Sequence, residues 1–168
     1  MRKPDIIEEK IVSLADAVKR VNQWRITGRT IAFTNGIFDI LHRGHIYSLS
    51  QAAKEADYLI VALNSDSSTK QLKGPSRPVN DQQARAIVMA SLLMVDMVII
   101  FDEETPLELI KAILPDVLVK GGDYTEDQVA GAKEVKENGG RVVINSIVEG
   151  FSTTGLIEKM KTKEPKDK

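Results

Sequence analysis

Cysteine is absent from the 168 residues. That excludes disulfides, thiol catalysis and thiolate metal sites, and it fits a reducing compartment. Aromatic residues are scarce at 5%, and there are only two histidines. No apolar run approaches the roughly 20 residues that span a bilayer, so no membrane partner is expected. Neither sign of charge dominates, with 23 basic against 24 acidic side chains. A nucleic-acid binder usually carries a basic excess to meet backbone phosphates, so nucleic acid is not expected as a partner. Residues 1–10 carry three acidic side chains and no apolar signal core, which reads as cytoplasmic.

What is present is enough for a core: 42% of residues are hydrophobic and 28% charged. This length predicts one domain over residues 1–161. Residues 162–168, charged and proline-containing, are expected to form a disordered tail. Short β-branched runs predict strands at 30–34, 58–63, 97–101, 117–119 and 142–145. Near-continuous apolar runs of this length suit strands covered on both faces.

The segments between read as helices. Ser13 with Asp16 forms a capping pattern before Leu14, Ala17, Val18, Val21 and Trp24 at helical spacing. Ile46, Leu49, Ala53 and Ala56 form a second stripe, and Ala84, Ile87, Val88, Ser91 and Leu92 a third. Thr105-Pro106-Leu107-Glu108 predicts a cap, a first-turn proline and a back-bonding glutamate. Val129, Ala132 and Val135 mark a helix ending at Asn138-Gly139-Gly140, and a last helix is expected from Ser152 to Lys161. Strand and helix in alternation predict an α/β fold, a Rossmann-like parallel sheet with helices on both faces. Ligands of such sheets bind beyond the carboxyl ends of the strands.

Both histidines lie in one segment that follows the first strand: Thr34-Asn35-Gly36-Ile37-Phe38-Asp39-Ile40-Leu41-His42-Arg43-Gly44-His45. Gly44 permits close backbone approach, and a helix start offers free N–H groups to an anion. Imidazoles there can donate to phosphate oxygens, more strongly if protonated. The bland alternatives are a tight turn with incidental histidines, or a metal site completed by carboxylates. Lys70, Lys73, Arg77 and Arg85 place four cations within sixteen residues, as a site for two phosphorylated substrates requires. Ser152, Thr153 and Thr154 can cap the last helix and also meet phosphate oxygens. Lys120-Gly121-Gly122-Asp123 combines close backbone approach with a carboxylate acceptor, or forms a plain turn. Asp39 can orient substrate or hold Mg²⁺, or merely form a turn.

These motifs resemble the signature of the cytidylyltransferase-like nucleotidyltransferase superfamily. The resemblance continues through Asn64-Ser65-Asp66, Lys73-Gly74, Arg77-Pro78-Val79, residues 94–99, residues 120–124 and residues 149–154. It implies that His42 and His45 contact a triphosphate and stabilise departing pyrophosphate, with Lys73 on the acceptor phosphate. Arg85 is implied to hold the loop or the triphosphate. Thr34, Asn35, Gly36, Phe38, Gly44, Lys120, Gly121, Asp123 and Ser152 to Thr154 complete the nucleotide-binding set. Asp39, Asn64, Asp66, Lys70 and Arg77 join Lys73 as acceptor-binding residues. Arg43, between the histidines, and Phe151, where a tyrosine is expected, depart from the pattern.

Within the superfamily the chain is most similar to adenylyltransferases that make ADP-heptose from D-glycero-β-D-manno-heptose 1-phosphate. ATP, a sugar 1-phosphate and a triphosphate-borne Mg²⁺ are thereby implied. A cytidylyltransferase for glycerol 3-phosphate or another small phosphate, and a nucleotide sensor without turnover, are the alternatives. A sugar 1-phosphate is already nucleophilic at neutral pH, so no side-chain nucleophile is required. Apolar positions on the first helix and around Met89, Leu93 and Met94 serve either a homodimer or the core.

Overall fold

The structure, a computed structural model, describes residues 6–146 and Gly155. Five strands build one sheet: β1 (Ile31–Gly36), β2 (Tyr58–Asn64), β3 (Met97–Phe101), β4 (Val117–Gly121) and β5 (Arg141–Asn145). All pair in parallel, in the order β3-β2-β1-β4-β5. Six α-helices accompany them among the described residues: α1 (Leu14–Ile26), α2 (Arg43–Ala53), α3 (Asp66–Lys73), α4 (Gln82–Ala90), α5 (Leu107–Ile113) and α6 (Ala132–Glu137).

Alternation along the strands puts helices on both faces. Ile31, Phe33, Ile60 and Ala62 point to a core completed by Ala17 and Val21 of α1, Ile110 and Ile113 of α5, and Val135 of α6. The intervening Ala32, Leu59, Val61 and Leu63 pack against Leu49 and Ala52 of α2 and Ala86 and Met89 of α4. Full burial of each large aliphatic chain contributes about 1.5–3 kcal/mol. Both faces of β1 and β2 are therefore apolar, which is why these strands read as unbroken hydrophobic runs.

The five expected strands are present, with ends shifted by one or two residues. The cap at Ser13 is real: its Oγ accepts from the Asp16 amide at 3.2 Å. Three helix expectations need correction. Between β2 and the stripe that begins at Ala84 the sequence marks no separate helix, yet α3 occupies Asp66–Lys73. Its sequence has no apolar stripe; Ser68 and Thr69 are its buried positions. Polar tethers hold it instead: Ser65 Oγ accepts from the Ser68 amide and Ser68 Oγ donates to the Glu103 carbonyl.

Helix α5 starts at Leu107 with Pro106 in the cap position and no side-chain capping bond. Glu108 accepts from Lys111 at 2.9 Å rather than bonding back. Helix α6 begins at Ala132, so Val129, which the spacing placed in the helix, instead closes a short 3-10 turn at Glu126–Gln128. Met89 is fully buried, whereas Leu93 is 97% exposed, so only the latter remains a surface position. Of the expected last helix only Gly155, which is helical, is described; Ser152, Thr153 and Thr154 lie outside the described residues, as does the tail. No helix among the described residues is long and apolar enough to cross a membrane.

Candidate active site

Strands β1 and β4 are neighbours but belong to opposite halves of the strand order, so the topological switch point lies between them. The histidine segment leaves β1 at this point. A Cβ on Gly36 would sit 2.8 Å from the Phe38 ring, and Phe38 itself adopts a left-handed backbone (φ 47°). A side chain at 36 would thus displace the Phe38 ring, which folds back over the strand end.

His42 then takes the cap position of α2 in extended conformation, and its carbonyl accepts from the His45 amide at 2.9 Å. Gly44 follows as the second residue of the helix. The two imidazoles stack with centroids 3.8 Å apart and planes at 20°, and Phe38 meets His45 edge-on at 5.3 Å. Burial, reinforced by the neighbouring His42, pushes the His45 pKa down to about 4, against a small opposing effect of the Ile40 backbone. Burial also lowers His42. At neutral pH the ligand-free pair is uncharged, each ring keeping one N–H donor. An anion arriving beside them favours the protonated form.

A cleft of about 530 Å³ opens over the carboxyl ends of the strands, a size suited to a small-molecule site. Asn35, Gly36, Phe38, Asp39, His45 and Asn64 line it, joined by the cations Lys73, Arg77 and Lys120. His42 stacks on His45 outside that lining, and Thr34 is buried in β1 beneath it. Lys120, at the end of β4, donates to Asn35 Oδ1 at 3.3 Å across the switch point and sits 5.5 Å from the Tyr124 ring centroid. Burial lowers its pKa. An ammonium held there strongly favours a counter-anion.

Several expected site residues have other work. Asp39 is 4% exposed, and its carboxylate accepts from the Val79 and Asn80 amides and from Arg77 Nε at 2.7 Å. Burial pushes its pKa up, but these bonds outweigh it and hold the carboxyl below its usual value. A carboxylate so occupied does not fit a Mg²⁺ ligand or a hydroxyl acceptor; it anchors residues 77–80 to the histidine loop. Among the described residues no cluster of three or more His, Asp or Glu is placed to hold a metal.

Arg85, 3% exposed, is off the cleft lining. It donates to the Ile37 carbonyl at 2.7 Å, to the Asn80 carbonyl at 3.1 Å and to Asp66 Oδ1 at 2.8 Å. Of the two roles the resemblance offered, it fills that of holding the loop. Asp66 is thereby an ion-pair partner rather than a cleft group. Lys70, Gly121 and Asp123 are exposed and outside the lining. The cleft also uses residues that sequence reasoning did not assign: Leu72 of α3, Glu104 and Thr105 after β3, and Tyr124 and Gln128 after β4. Their signal was positional, since each of the last four follows a strand end.

A family model described as cytidylyltransferase-like matches residues 33–165. The bifunctional protein HldE of Azorhizobium caulinodans is 53% identical over 152 residues, covering 90% of this chain and 32% of that protein. The bifunctional protein HldE of Rhodospirillum rubrum is 54% identical over 153 residues, covering 91% and 31%. The chain therefore spans about a third of the length of these relatives. Among solved structures, the lipopolysaccharide core biosynthesis protein of Thermoplasma volcanium superposes with a TM-score of 0.59 at 28% identity, covering 72% of this chain and 98% of that one. Pantoate-beta-alanine ligase of Francisella tularensis, with a TM-score of 0.58 and 15% identity over 90% of this chain and 76% of its own, shares the fold. With its matched span beginning inside β1 and taking in the histidine loop and every strand thereafter, the chain belongs to the cytidylyltransferase-like family.

Proposed function

We propose that this chain is an adenylyltransferase that joins AMP from ATP to D-glycero-β-D-manno-heptose 1-phosphate and releases pyrophosphate. The observation that carries it is the concentration of His45, the α2 N-terminus, Lys73, Arg77 and Lys120 around one cleft. Lys73 and Lys120 bring two cations from different elements to that cleft, beside the N–H donors of His45 and α2, which suits two anions brought together. The choice of ATP and the heptose phosphate rests on the resemblance and on relatives above 50% identity over 90% of the chain.

Mg²⁺ accompanying ATP would be held mainly by the nucleotide, with few protein ligands, and would supply further charge neutralisation there. An acceptor phosphate oxygen attacks the α-phosphorus in line, forming one P–O bond as the bond to pyrophosphate breaks. Lys73, with Arg77 behind it, holds the acceptor phosphate. The histidine pair and the N-terminal end of α2 meet the charge that gathers on pyrophosphate, and Lys120 supports the triphosphate from across the switch point. Ser152, Thr153 and Thr154 are assigned to the same phosphates by resemblance. We place the reaction in the cytoplasm.

Pyrophosphate release should be measured for ATP, CTP, GTP and UTP against the heptose 1-phosphate, other sugar 1-phosphates and glycerol 3-phosphate. ATP with the heptose 1-phosphate is expected to be fastest. Faster turnover of CTP with glycerol 3-phosphate would overturn this identity and leave family membership standing.

A further inference from the structure

The cleft lining contains two acidic residues, Asp39 and Glu104, among the described residues. Asp39 is fully engaged by Arg77 and two backbone amides. Glu104 is different. It is exposed on the cleft wall, and its carboxylate accepts no hydrogen bond from a described residue. A carboxylate beside a site for two polyanions is unfavourable unless it meets a donor. The donors available on a phosphorylated sugar are its hydroxyls, and one carboxylate accepts from two neighbouring hydroxyls at once.

The backbone bearing Glu104 is held in place. The Ser65 amide donates to the Phe101 carbonyl at 2.8 Å, Ser67 Oγ to Asp102 Oδ1 at 3.2 Å, and Ser68 Oγ to the Glu103 carbonyl at 2.9 Å. Ser68 Oγ in turn accepts from Asn64 Nδ2 at 3.0 Å, inside the fold. The residues after β3 are thus fastened to α3, the helix that ends in Leu72 and Lys73 on the same cleft.

The strand order gives the cleft two ends. Toward β4, Lys120 and the histidine pair offer positive charge and N–H donors. Toward β3, Asn64, Glu104 and Thr105 offer acceptors and a hydroxyl, and Lys73, at the end of α3, lines the same cleft. We infer that the β3 end is the subsite for the hydroxyl-bearing body of the acceptor, and that Glu104 is its specificity-determining residue. An acceptor bound with its phosphate on Lys73 and its hydroxyls toward Glu104 is aligned with the triphosphate. The reversed pose puts phosphate against carboxylate and is rejected. This inference rests on the proposed reaction for its acceptor class, but not for the position of the subsite.

The test compares wild type with Glu104→Gln and Glu104→Asp. Losing a hydrogen bond to a charged group predicts an acceptor KM about tenfold or more higher for Glu104→Gln, with the KM for ATP unchanged and a smaller rise for Glu104→Asp. Calorimetry supplies a second reading: ADP-heptose should bind Glu104→Gln about tenfold more weakly, and ADP equally to both proteins. The exposed, unbonded side chain predicts an unchanged melting temperature. An unchanged acceptor KM, or a rise in the KM for ATP instead, would overturn the assignment. If wild type ignores the heptose phosphate, the proposed reaction fails. The same KM comparison on the acceptor found in the pyrophosphate screen then decides the role of Glu104 separately.

Discussion

His45 meets two opposing requirements. Burial against Phe38 and His42 keeps it neutral in the empty site, yet its placement at the start of α2 suits it to an incoming anion. A neutral ring is cheaper to bury and still donates one hydrogen bond, and the charge that the triphosphate brings grows further on the leaving oxygen as pyrophosphate forms. His42→Ala and His45→Ala should each lower turnover by about 10²-fold or more, the scale of losing an electrostatic stabiliser. Steady-state pyrophosphate release measures this, with far-UV circular dichroism to confirm folding. Near-normal turnover in both variants would remove the pair from the mechanism. At this scale the histidines were legible because two rings three apart around a glycine have few structural uses. Asp39 was not: nothing in its neighbours along the chain says that amides forty residues away saturate its carboxylate.

Arg85 shows what an element contributes as a unit. Helix α4 is capped by Asp81, whose side chain accepts from the Ala84 amide at 2.8 Å, and its first turns carry Gln82 and Arg85 toward two other segments. Gln82 accepts from the Asp66 amide and Arg85 donates to the Asp66 carboxylate, so α4 grips the start of α3 while also holding Ile37 of the histidine loop. Arg85 itself is buried, and its removal takes a hydrogen bond from each of three partly buried partners. Arg85→Ala should therefore cost about 1–3 kcal/mol of stability, read as a lowered urea midpoint. A direct triphosphate contact predicts the opposite pattern: normal stability and only a raised KM for ATP. Helix α3, in contrast, escaped the sequence reading. Apolar periodicity detects helices that bury a hydrophobic stripe, and this one is held by caps and hydrogen bonds.

For the molecule as a whole, proton linkage gives a testable consequence. The folded pKa of His45, about 4, lies below the ordinary imidazole value of 6.5. The unfolded chain thus binds more protons between those values, and stability falls as pH drops through that window. Asp39 acts lower. Its depressed pKa adds stability above the ordinary carboxylate value of 3.8, lost as pH falls through its folded value. Urea midpoints measured from neutral pH down to about pH 4 should fall steadily in wild type and less steeply in His45→Gln. Equal slopes would show that His45 is not the group responsible.

The chain alone determined the strands, the helices with apolar faces and the place of the histidine loop. Each of these follows from local periodicity and from residue types with restricted chemistry. It also carried the family resemblance, since the motifs survive as spacing along the sequence. Only the tertiary structure decided which charged residues reach the cleft. Lys73 and Lys120 do, whereas Lys70 is left outside, and Asp39, Asp66 and Arg85 are drawn into clamps. Charge is a property of one residue, but its availability depends on which partners the fold brings within hydrogen-bonding distance.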